Sequence, residues 1–430
     1  MEDRGTSWLF RALTSVAFGY FLLRPVGHGE ILYPLLALIA VSSVVALIVG
    51  RRRVSFEVVS VIGLVMVVGL YGTVIGVDNP GMSQNALVWL GAPLIFGAWV
   101  LAADERMLRS VLTTAAWCTI ALSALIVLFV GTQLGVIPQI VPQWLVEETG
   151  AGFAFEDETT AIRLYGLSTL VAAAPMWITA ALLPDHPLLP PRAVRVIAAV
   201  IAASAAMLGG RNAIVLVVLA VPAVMLVWRA MRRRSTRVHP GAVLTGLLLL
   251  AVGPFLIQAV AGNAVVQRTV QNVLAFFEDG GDQSIRVEQA ARLLDAWQEA
   301  PYFGHGWGAT IEGYYRSQER PWNFELQYHL LLFQVGLVGM LIVGAVVVLA
   351  VRAIARAVKV RPDLVSIFLV TSAGALGMLI GNATNPYLQA PGHMWAVWLP
   401  LMVANVALCN PRHLMTREPT VPSARVSNLR

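Results

Sequence analysis

The chain has 430 residues, 57% of them hydrophobic and only 13% charged. A soluble domain carries about 25% charged residues, so a soluble globular enzyme is excluded, and apolar runs of about 17–25 residues along the whole length mark a polytopic membrane protein. The formal charge of +6 does not argue for a nucleic-acid partner, because the basic residues sort by side of the membrane.

In chain order the apolar runs fall near 8–24, 30–50, 54–77, 86–103, 110–130, 162–183, 194–209, 212–229, 241–260, 324–350, 364–382 and 392–409. The expected fold is therefore all-α, a single transmembrane domain over 1–430 with about twelve transmembrane helices. No small-residue cleavage site follows the first run, so a cleavable signal peptide is not expected. Cys118 and Cys409 lie in separate runs without metal-ligand or redox spacing.

Arginines cluster at Arg51–Arg53, Arg106 and Arg109, Arg192 and Arg195, Arg229 to Arg237, Arg352 to Arg361 and in the C-terminal tail, and Arg4 and Arg11 fall on the same side. The other side holds only Arg24, Arg163, Arg211, Arg268, Arg286, Arg292, Arg316 and Arg320. The positive-inside rule puts both termini in the cytoplasm. Two long extracytoplasmic loops then follow, at 131–161 and 261–323. A loop as long as the second, in so compact a membrane protein, is more often functional than a spacer.

Within the larger loop, 263–278 places Val266, Val270, Val273, Leu274 and Phe277 on one face, as an amphipathic helix does. After the glycines of EDGGD, a second helix is expected from Asp282 or Ser284 to just before Pro301. Its stripe Arg286, Ala290, Leu293 and Trp297 carries an arginine among apolar residues, which predicts that Arg286 points inward towards an anion. Arg292, between Glu288 and Asp295, reads as a surface ion-paired residue. PYFGHGWGAT at 301–310 is a glycine turn and not a dinucleotide fingerprint, since no strand precedes it.

Charged residues at the same membrane face stand out. Arg163 opens the sixth apolar run in TTAIRLYG, and Arg211 sits between two runs in MLGGRNAIV. Arginine at such depth is costly and faces a cavity or partner unless it snorkels to the headgroups. Three arginines at one face suit a polyanion, because guanidinium binds phosphate oxygens through paired N–H donors. Glu325 and His329, four apart at the start of the tenth run, are candidate catalytic residues, since either side chain can act as a general acid or base. His305, Gly306 and Tyr328 are candidate substrate contacts nearby. The acidic residues Glu156, Asp157, Glu158, Asp279 and Asp282 lack specific ligand spacing, so no metal or other cofactor is expected.

These features resemble the O-antigen ligase and O-antigen polymerase family of membrane glycosyltransferases. The resemblance covers the order of spans and is sharpest over 284–339, where an Arg-bearing helix leads through a proline and PYFGHGWG to a span containing GLVG. LGGRNAIVL and IRLYGL are similar to the family's other two arginine segments. The resemblance implies a glycosyltransferase-C type fold. It also implies glycan transfer from undecaprenyl diphosphate to a glycan acceptor, at the outer face of the bacterial cytoplasmic (inner) membrane. Arg163, Arg211 and Arg286 would hold the diphosphate. Family ligases place a His-Asn pair about eleven residues before the first glycine of GLxG, and counting back from Gly336 lands on Glu325. That departure favours a polymerase, with a ligase as the close alternative. A transporter of lipid-linked oligosaccharide is the rival from another class. It is disfavoured because no internal repeat or midplane charge is evident.

Overall fold

A computed structural model of the chain describes residues 4–50, 52–156, 159–209, 212–232 and 283–410. The helices in order are α1 (Arg4–Leu23), α2 (Leu32–Val49), α3 (Phe56–Ile75), α4 (Met82–Ala86), α5 (Ala92–Ala102), α6 (Glu105–Gln133) and α7 (Gln143–Glu148). They continue as α8 (Leu170–Leu182), α9 (Arg192–Leu208), α10 (Asn212–Arg232), α11 (Gln283–Glu299), α12 (Gln327–Val360), α13 (Val365–Gly381) and α14 (Trp395–Cys409). One antiparallel hairpin departs from the expected all-α fold: β1 (Gly152–Glu156) pairs with β2 (Thr159–Arg163), Gly152 opposite Arg163. Arg163 therefore ends a strand and does not open a helix.

Among the described residues, seven helical stretches are long and apolar enough to cross a membrane: Gly29–Val49, Phe56–Ile75, Met82–Ala102, Glu105–Gln133, Tyr165–Leu182, Gln327–Val360 and Pro362–Gly381. Trp8–Leu23, Ile214–Arg229 and Trp395–Cys409 are shorter apolar helices. The chain is a multi-pass membrane protein. The run expected at 241–260 and the amphipathic helix at 263–278 lie outside the described residues.

The bundle is organised around α8, which packs against α9, α10 and α13. Its small residues Ala172, Ala173, Ala174, Ala180 and Ala181 are all buried. They let backbones approach, as helix interfaces in membranes favour. On α13, a Cβ at Gly377 would collide with the Val171 carbonyl of α8. At the C-terminal end of α8, the buried Arg195 donates to the Ala180 and Leu183 carbonyls and pairs with Asp185, satisfying groups that a helix end leaves open. The start of α6 is capped by Asp104, whose carboxylate accepts the Met107 N–H at 2.7 Å.

The span expected at 324–350 takes a different form. The helix starts at Gln327, breaks at Gly336 (φ 58°, ψ −169°) and runs on to Val360. Leu337–Val360 is about 36 Å long at 1.5 Å per residue, which alone exceeds a hydrocarbon core of about 30 Å. Gln327–Val335 is a separate first segment. α11 packs against α12, over a second small core of Leu293, Ala309, Phe324, Leu326, Leu330 and Phe333.

Candidate active site

The break in α12 frees backbone groups that a buried helix cannot leave unpaired. The glycine turn after α11 supplies their partners. His305 and Gly306 donate their N–H groups to the Phe333 and Gln334 carbonyls at 3.0 and 2.7 Å. In return, Leu337 and Val338 donate to the Pro301 and Tyr302 carbonyls at 2.9 and 3.0 Å. PYFGHGWG is thus spliced into the helix on both sides of Gly336. Gly306 has φ 80°, and a Cβ there would collide with the Gly76 backbone at the end of α3. The close backbone approach that the glycines allow is to the protein itself.

Trp307 locks this wedge in place. It is fully buried and stacks on Trp89 with ring centroids 5.3 Å apart. Its indole Nε1–H donates to the Gly69 carbonyl at 2.9 Å and its backbone N–H to the Gly72 carbonyl at 2.8 Å. Asn79 Nδ2 donates to the His305 and Trp307 carbonyls at 2.7 and 3.1 Å. The His305 ring stacks on Phe333 at 4.6 Å and bonds through Nε2 to the Ala296 carbonyl at 2.8 Å. His305 and Gly306, expected as substrate contacts, therefore hold the wedge to α11 and α12.

Between α11 and α12 lies the charged cluster. Arg286 Nε donates to Glu325 Oε2 at 3.3 Å, and Arg316 Nη2 lies 2.6 Å from Oε1 of the same carboxylate. Arg286 does point inward to an anion, and that anion is Glu325. The carboxylate's backbone is fixed from behind. Gln289, 2% exposed, accepts the N–H groups of both Glu325 and Leu326 on its Oε1, each at 2.9 Å. Phe324 is buried beneath and stacks on Tyr314 at 6.1 Å. Arg292 pairs with Glu288 at 3.8 Å, as the spacing predicts, and lies 5.9 Å over the Tyr314 ring.

The other expected residues fall as follows. Glu325 precedes α12, so it does not share a helical face with His329. His329 is half-buried in the first turn of that helix, with no hydrogen-bond partner among the described residues. The Tyr328 hydroxyl donates to the Leu379 carbonyl at 2.6 Å, tying α12 to α13. Arg211 lies outside the described residues. Sequence reasoning missed Arg316 and Gln289. Gln289 sits one helical turn after Arg286, a spacing that could have flagged it. Arg316 carries no signal beyond its charge.

A helical bundle of membrane-crossing length, with two arginines and a carboxylate gathered at its loop segment, defines a multi-pass membrane protein with a charged site. Residues 196–344 match the sequence model of the O-antigen ligase family, so the resemblance read from the residues is borne out. The matched stretch runs from α9 into α12 and contains Arg211, Arg286, Arg316, Glu325, His329 and the glycine wedge. The match supports a membrane glycosyltransferase of O-antigen ligase or polymerase type. No curated protein matches the chain.

Proposed function

We propose that this protein polymerises undecaprenyl-diphosphate-linked repeat units into a surface polysaccharide at the outer face of the bacterial cytoplasmic membrane. The observation that carries the reading is the Arg286–Glu325–Arg316 cluster, inside the stretch that matches the O-antigen ligase family. In the reaction a hydroxyl of the acceptor glycan attacks the anomeric carbon of the donor. A glycosidic C–O bond forms, the C–O bond to the diphosphate breaks, and the polyprenyl diphosphate leaves with the bonding electrons. Glu325 takes the proton of the attacking hydroxyl. Arg286, with Arg163 and Arg211, meets the charge that develops on the leaving diphosphate, a role that electrostatic stabilisation fills without a metal ion.

Polymerase is favoured over ligase because Glu325 stands at the register where family ligases carry a histidine. His329, without a hydrogen-bond partner among the described residues, is the second candidate for the base. Loss of transfer in His329→Ala with retention in Glu325→Gln would reverse the assignment. Purified protein in proteoliposomes, given a defined undecaprenyl-diphosphate oligosaccharide, tests the reading. A ladder of chain lengths on the lipid carrier, unaffected by chelator, is the expected product. Transfer of one glycan to a foreign acceptor would make the protein a ligase. Lipid flipping without any transfer would make it a transporter.

A further inference from the structure

The cluster poses a chemical problem. Arg286 is expected to bind the donor's diphosphate, and Glu325 to act as a base, yet in this structure the two are bonded to each other. Arg316 closes on the other carboxylate oxygen. An anion is already seated between two guanidiniums, and it is the protein's own.

The parts of the cluster differ in how firmly they are held. Glu325 is fixed through its backbone by the buried Gln289, and its side chain is only 19% exposed. The side chains of Arg286 and Arg316 are 39% and 49% exposed. Arg286 donates to Glu325 through Nε, and Arg316 approaches it most closely through Nη2. A guanidinium has five N–H donors, so both retain donors for a second anion. One carboxylate against two guanidiniums also leaves the cluster with residual positive charge. A diphosphate offers more charge and more acceptor oxygens than a single carboxylate, and phosphate oxygens match the guanidinium fork.

We infer that Arg316 joins Arg286 as a diphosphate-binding residue, and that Glu325 holds the place of the diphosphate until the donor arrives. The inference rests on the proposed diphosphate-linked donor. On donor binding, both arginines turn from the carboxylate to phosphate oxygens. Glu325, anchored by Gln289, stays behind with its oxygens free to accept the proton of the acceptor hydroxyl. Donor binding thereby exposes the base, so the acceptor is activated only when a leaving group is in place. The occupant of the site exchanges, and the backbone need not move.

The test is binding of inorganic pyrophosphate to the full-length protein in detergent at low salt, followed by calorimetry. If Glu325 competes for the arginines, Glu325→Gln binds pyrophosphate about tenfold more tightly than wild type, a change of about 1.4 kcal/mol, while losing transfer. Arg316→Gln binds at least about fivefold more weakly, and Arg316→Lys recovers part of the loss. Glu288→Gln removes a carboxylate paired with Arg292 instead, and stays within twofold of wild type. Equal or weaker binding by Glu325→Gln overturns the inference, as does equal tightening by Glu288→Gln, which would mean a general charge effect. Wild-type binding of pyrophosphate with no gain in Glu325→Gln leaves the diphosphate reading standing and removes the place-holder. No binding by any form removes both.

Discussion

Replacing Gly336 with alanine tests the wedge that positions the site. Gly336 has φ 58° and ψ −169°, a region open essentially to glycine alone and costing other residues about 1–3 kcal/mol. The added Cβ would lie 2.5 Å from both the Gly304 nitrogen and the Tyr302 oxygen. These are backbone atoms of the wedge, so relief requires the loop to retreat. Retreat loosens the four hydrogen bonds crossing the break, at 2.7 to 3.0 Å, each worth about 1 kcal/mol. The sum is roughly 5–7 kcal/mol if all four bonds are lost, which for a chain of this length lowers the melting temperature by about 5–8 °C, extending the known size scaling. Gly344 in the same helix provides the control. A Cβ there meets nothing within 4 Å, so Gly344→Ala should be neutral or raise stability by up to about 1 kcal/mol. Thermal unfolding in detergent, followed by tryptophan fluorescence, measures both. Equal stability of the two variants would refute the spliced-loop account.

Three further outcomes are expected. Trp307→Ala empties a fully buried site and should cost about 3–5 kcal/mol, seen as a lower melting temperature and less folded protein on size exclusion. His28, in the turn between α1 and α2, has its pKa lowered, mainly by burial. Well above pH 6.5 neither the folded nor the unfolded state holds its proton, and as pH falls through about 6.5 the unfolded state binds one first, so stability should drop. His28→Gln should flatten that slope in pH-dependent unfolding, leaving the part due to His186, whose pKa is lowered in the same way. Arg286→Ala should abolish glycan transfer while leaving the melting temperature within a few degrees of wild type, because its side chain is part-exposed.

Seven membrane-crossing stretches among the described residues were legible from hydropathy: α2, α3 and α6, for example, fall where the apolar runs end at polar or arginine-rich turns. α11 was equally legible from its Gly-Gly entry and Pro301 exit, and so were the inward aim of Arg286 and the surface pairing of Arg292. The break at Gly336 was not. A glycine inside an apolar run reads the same whether it is helical, as at Gly344, or carries a positive φ, as at Gly336. What decides is a loop some thirty residues earlier in the chain, donating and accepting at the right depth. For the same reason Gly306 read as a candidate substrate contact, when the Gly76 backbone already fills the space beside it. The hairpin at 152–163 was missed because its strands are short, and β2 leads into the sixth apolar run, where helix was expected. Arg316 was not found because nothing local distinguishes it from Arg320. Its pairing with Glu325 comes from the path of the loop between them.

Polymerisation at this charged cluster shows itself in product length after reconstitution with one defined undecaprenyl-diphosphate oligosaccharide, comparing wild type with Glu325→Gln. Wild type should give a ladder of polymer on the lipid carrier, and the variant should leave the starting material unreacted. A full ladder from Glu325→Gln would remove Glu325 as the base, and a single unextended transfer product from wild type would rule out a polymerase.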